Sequence, residues 1–102
     1  MRRLSLLMTS VALAFSFHTA HAANASDVQV KVWAAACATC HGTNGQAVGA
    51  IPRLASADAK ATLDALLAHK RGQRQGTIMH QIAKGYSDEQ LAQIAAYFAA
   101  QK

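Results

Sequence analysis

The 102-residue sequence is poor in the features that specify many folds: one proline, two cysteines, one tryptophan, five acidic residues and no stretch in which apolar and polar side chains alternate. Without period-two alternation there is no half-buried strand to read, so the expected fold class is all-α. Large side chains are scarce too. Beyond residue 22 the aromatics are Trp33, Tyr86, Tyr97 and Phe98, set among 20 alanines, so side chains alone fill little volume and a domain this small needs a further source of core. Lys and Arg outnumber Asp and Glu by ten to five, but they are dispersed and no aromatics interleave them, which excludes a nucleic-acid surface. The densest cluster, Lys70, Arg71 and Arg74, reads as a solvated helix end, with a docking patch as the alternative.

No apolar run reaches the roughly 20 residues of a membrane span. The longest, Leu4 to Phe17, follows Arg2-Arg3 and precedes Thr19-Ala20-His21-Ala22. That order of positive start, short apolar run and small-residue site is a secretory signal peptide, residues 1–22, with cleavage expected after Ala22. Residues 23–102 then form one domain, exported to the periplasm, with no membrane span after cleavage.

Within that domain Val30, Trp33, Ala34 and Cys37 recur at helical spacing, and Ser26 or Asp27 can cap the start. Residues 42–52, "GTNGQAVGAIP", have no period and read as loop. A second helix is expected between Ser56 and Arg71, with Ala59, Leu63, Leu66, Leu67 and Lys70 on one stripe and Gly72 at its end. "GQRQGT" follows as loop, then a short helical turn from Met79 to Lys84. The last helix opens on an S-x-x-Q capping box, Ser87 and Gln90, and carries the apolar face Leu91, Ile94, Ala95 and Phe98.

Both cysteines fall in "CATCH", residues 37–41, at the end of the first helix. A thioredoxin-like redox pair expects a βαβ context, which is missing, and a zinc site needs two further ligands at finger-like spacing, whereas His69 and His80 lie far off. A plain disulfide leaves His41 and the thin core unexplained. Cys-x-x-Cys-His in an exported chain is the attachment signature of one covalent c-type haem. Cys37 and Cys40 each add a thiol to one vinyl group, and His41 is placed to bind the iron as proximal ligand. Met1 and Met8 leave with the signal, so Met79 is the one remaining thioether and the expected second axial ligand; His80 is the competitor and would give a lower-potential bis-histidine haem. The Pro52 carbonyl could accept from the free ring N–H of His41 and fix its orientation. Arg53 and Tyr86 could meet haem propionates, and each also has an ordinary surface or turn reading.

With "CATCH", "IPRLA", the lone Met79 and "YSDEQLAQIAAYF" in place, the chain resembles a class I c-type cytochrome over residues 23–102. Within that class "GQRQGTIMHQIAKGYSDEQLAQIAAYFA" is similar to the cytochrome subunit of flavocytochrome c sulfide dehydrogenases. The resemblance implies a first helix crossing the last, through Trp33 or Ala34 and Ile94, Tyr97 or Phe98, over a covalent haem held by Cys37, Cys40, His41 and Met79. It also implies electron transfer with no substrate site of its own and an FAD-containing flavoprotein partner that oxidises sulfide. A haem attached at one edge in so small a domain cannot be buried on all sides, so docking is expected at the exposed edge near Cys37, Ala47 to Ile51 and the loop carrying Thr77 and Met79, unless Ala47 to Ile51 simply cover the haem. A free carrier serving a terminal oxidase or another dehydrogenase is the alternative. A haem enzyme or gas sensor would require Met79 to leave the iron.

Overall fold

The computed structural model describes residues 25–102; the expected signal segment, 1–22, lies outside them. Helix α1, Asp27–His41, begins where the Ser26 hydroxyl accepts from the Gln29 N–H at 3.3 Å, with Asp27 in the positively polarised first turn. It stops at Gly42, whose φ of +80° no side chain adopts readily. The segment read as loop contains a single 3-10 turn, Thr43–Gly45. Helix α2, Ala59–Lys70, is shorter than the expected stretch, because Ser56 takes a positive φ of 59° and Asp58 caps the helix through the Ala61 N–H at 2.8 Å. Helix α3 is Met79–Lys84 and α4 is Asp88–Ala99. The capping box of α4 is complete, with Gln90 N–H to Ser87 at 3.1 Å and Ser87 N–H to Gln90 at 2.8 Å. All regular structure among the described residues is helical, and none of their helices is long and apolar enough to cross a membrane.

The core lies where α1 meets α4. Leu91, Ile94, Ala95 and Phe98 are buried along α4, and Ala34 of α1 packs on Ile94 and Phe98, with Trp33, Cys37, Leu54, Tyr86 and Tyr97 around them. This is the crossing that the resemblance implies. Ala34 lets the two helices approach, while Phe98, Leu91 and Ile94 supply the volume, each contributing about 1.5–3 kcal/mol on burial. Phe98 also seats the loop that follows α1. A Cβ on Gly45 would lie 2.7 Å from Phe98 Cδ1 at a φ of +77°, so only glycine fits there. With no side chain in the way, the Gly45 carbonyl accepts from both Leu54 and Ala55 N–H groups, at 2.9 and 3.0 Å. The far end of the loop is tied to the end of α4: Ser56 N–H donates to the Phe98 carbonyl at 3.1 Å and its hydroxyl to the Gln101 carbonyl at 2.6 Å.

The basic cluster is split by the fold. Lys70 donates to the Tyr86 carbonyl and to Asp88 Oδ1, both at 2.7 Å, and Arg71 reaches Asp88 Oδ2 at 3.5 Å. These two cations therefore brace the end of α2 against the start of α4. The Lys70 hydrogen bond, with both positive charges nearby, holds the Asp88 carboxyl below its ordinary value of 3.8. A carboxylate with a lowered folded pKa stabilises the fold above its unfolded pKa, and that contribution fades as pH falls through the folded value. Asp88→Asn is therefore expected to lower the denaturation midpoint slightly near neutral pH, with the gap to wild type closing well below pH ~4. A gap that persists at low pH would show that the bracing is not ionic.

Candidate functional site

The cavity beside the core has a volume of about 570 Å³ and is lined from every part of the domain: the last turns of α1, residues 50–54, one face of α2, Arg74, residues 77–79, and Ile94 and Phe98 of α4. Its size is that of a cofactor site and its lining is mainly apolar.

Helix α1 brings three reactive side chains to this cavity. Cys37 and Cys40 stand at i and i+3 and His41 at i+4, which puts all three on one helical face, and all three line the cavity. Cys37 is half-buried and Cys40 exposed, and neither is in a disulfide. Burial pushes the Cys37 thiol up from its ordinary value, and the thiol donates to the Trp33 carbonyl across 3.9 Å. His41 is buried with Nδ1 2.6 Å from the Pro52 carbonyl oxygen. A carbonyl only accepts, so this contact puts the proton on Nδ1 and leaves the Nε2 lone pair free for a metal.

Met79, the first residue of α3, is half-buried and lines the same cavity; His80, one position and about 100° further round the helix, does not. Arg53 is exposed at the cavity, its Nε 3.4 Å from the Ala55 carbonyl. Tyr86, expected to meet a propionate or to sit in an ordinary turn, is placed differently from Arg53. Tyr86 does not line the cavity and packs instead against the Ala34, Ile94 and Phe98 cluster, where burial and the nearby Cys37 raise its phenol pKa.

Three wall features escaped the sequence reading. Helix α2 lines the cavity with Ala61, Thr62, Ala65, Leu66 and His69, beside its cap Asp58; of the expected stripe Ala59, Leu63, Leu66, Leu67 and Lys70, Leu66 alone is among them. Arg74, grouped by sequence with Lys70 and Arg71, also lines the cavity. His69 is as buried as His41. The signal was present in the i, i+4 spacing of Ala61, Ala65 and His69, but alanines count weakly in an apolar stripe. Among the described residues no group of three or more His, Cys, Asp and Glu side chains is arranged to hold a metal ion by itself, so a zinc centre has no ligand set there. The polar groups present are two thiols, the His41 and His69 imidazoles, a thioether, two guanidinium groups and the Asp58 carboxylate, around apolar walls. They fit an iron porphyrin with two vinyl groups and two carboxylates.

The family model "Cytochrome c" matches residues 30–102. Cytochrome c-554(548) of Halomonas halodenitrificans is 40% identical over 70 residues, 65% of this chain and 84% of that protein. The cytochrome subunit of sulfide dehydrogenase of Chlorobaculum tepidum is 37% identical over 68 residues, 67% of this chain and 62% of that one. Cytochrome c4 of Pseudomonas aeruginosa is 40% identical over 85 residues, 81% of this chain and 41% of its length. The chain thus spans less than two thirds of the last two relatives. A match that runs from within α1 to the final residue takes in the whole cavity, and the chain belongs to the cytochrome c family, carriers of electrons on covalently bound haem c.

Proposed function

We propose that this chain is a periplasmic single-haem carrier that takes electrons from an FAD-containing flavoprotein sulfide dehydrogenase. In this reading Cys37 and Cys40 hold the porphyrin by thioethers, His41 Nε2 is the proximal ligand and Met79 the distal one. Arg53 and Arg74 offer cations to the propionates. The haem supplies a reversible one-electron change at iron; the chain supplies its surroundings. The Pro52 carbonyl polarises the His41 ring and fixes its plane, and the apolar walls exclude water. A filled His and Met pair leaves no iron position for substrate, which favours electron transfer over catalysis. The observation that carries the ligand set is that Met79 shares the cavity with His41 while His80 stands outside it.

The partner reading rests on the likeness to the Chlorobaculum subunit and on the apolar rim. Val48 is 93% exposed, Ile78 53% and Ile51 43%, and the last two line the cavity mouth. A flavoprotein docking there would bring its electrons close to the haem edge. The 84% coverage of cytochrome c-554(548) favours a free carrier as the second reading. Co-expression with an FAD-containing sulfide-oxidising flavoprotein is expected to give co-elution on size exclusion and sulfide-dependent reduction of the haem. Separate elution with no reduction would leave the free carrier. Complex formation that weakens steeply with salt would move the contact to charged side chains such as Arg74.

A further inference from the structure

His69 plays no part in the ligand set, yet it is one of two buried polar side chains among the described residues, the other being His41. It sits in the last turn of α2 with Nδ1 3.1 Å from the Arg74 carbonyl oxygen, so Nδ1–H donates to the loop that leads to Met79. The same stretch is held from its other side, since Gln73 and Arg74 N–H groups both donate to the Ala68 carbonyl, at 2.8 and 3.2 Å. Two residues further on, Gly76 lies against the imidazole. A Cβ there would stand 2.9 Å from His69 Cε1 and 3.3 Å from Nδ1. Gly76 is not among the positive-φ glycines, so the ring and not the backbone demands glycine at this position. The next neighbour of that Cβ position is Met79 Cβ, at 3.7 Å. Helix α3 begins at Met79 with no side-chain cap at Ile78, so no local side chain anchors the start of the helix.

We infer that His69 is the positioning residue for Met79. Its ring and Nδ1–H latch residues 74–76 against the end of α2 and thereby set the depth at which the thioether enters the cavity. The inference rests on Met79 being the distal ligand. With the latch released, the loop is longer and freer, and the thioether competes less well for the iron against small ligands from solution.

The ferric holoprotein gives the test, through the methionine-to-iron charge-transfer band and the affinity for added imidazole. His69→Ala is expected to weaken the band and to raise imidazole affinity roughly three- to tenfold, the worth of one lost hydrogen bond with its packing. His69→Asn places a donor where Nδ1 stood and is expected to recover most of the band, a rescue that mere filling of volume by the ring would not produce. Gly76→Ala should mimic His69→Ala by collision with the ring, and should change nothing further when added to it. Should His69→Ala fail to fold, His69→Asn with an intact band and Gly76→Ala with a weakened one carry the same conclusion. An unchanged band and affinity in His69→Ala, or full additivity with Gly76→Ala, overturns the latch. If in addition Met79→Ala abolishes the band, the ligand assignment stands without the latch. If Met79→Ala leaves the spectrum unchanged while His69→Ala alters it, the imidazole is itself the ligand and both readings fall.

Discussion

Replacing both Cys37 and Cys40 by alanine is expected to abolish the haem-staining band on a denaturing gel and to leave a chain that does not hold its fold. The first outcome follows from the loss of both thioether anchors, which alone survive denaturation. The second follows from volume. The buried core of Ala34, Leu91, Ile94 and Phe98 with Ala55, Ala83 and Ala95 is small, and beside it lies a cavity of about 570 Å³. At about 24 cal/mol per Å³, even a third of that space left empty would cost on the order of 5 kcal/mol, comparable with the whole stability of a small domain. Single Cys37→Ala and Cys40→Ala variants keep one anchor and should give reduced but detectable staining. Full staining of the double variant would refute the attachment.

Met79→Ala should retain the covalent haem and lose its high potential. Axial ligation governs haem potentials over a range of roughly 0.8 V, and a thioether stabilises the reduced iron relative to water or an imidazole. A fall in midpoint potential by a substantial part of that range is expected, together with ready binding of cyanide by the ferric protein. His80→Ala should leave both quantities unchanged, because His80 does not line the cavity. A potential that responds to His80 and ignores Met79 would reverse the assignment.

Much of this architecture was legible in the residues, and the reasons differ from element to element. Helix α4 declares itself through Ser87, Gln90 and the Leu91, Ile94, Phe98 face, since capping and burial act there on the same residues. The grouping of Cys37, Cys40 and His41 is legible because a helix of known pitch fixes their common face. Helix α2 was harder. It is apolar on more than one side, and its cavity side is built from Ala61, Thr62 and Ala65, which carry little hydrophobic signal. Tyr86 is a related case. An aromatic next to a helix start can turn either way, and the choice is made by Ala34 and Ile94, distant in sequence. The bond from His41 to the Pro52 carbonyl spans 11 residues of irregular chain, and only the coordinates give its 2.6 Å.

The ties between the segment after α1 and the end of α4 bear on the order in which the molecule assembles. Ser56 to Gln101 and Asn44 to Tyr97 close loops of 45 and 53 residues, and the Gln46 side chain reaches the Lys102 carbonyl over 56. Closing such loops is entropically costly until the contacts they permit are made. During synthesis the cysteines therefore emerge well before their surroundings can set. For that interval Cys37 and Cys40 sit on an isolated α1 of 15 residues, a length at which a lone helix is marginal in water. The attachment chemistry consequently meets two accessible thiols on a loose chain, and the last turns of α4 then close the structure around what has been attached.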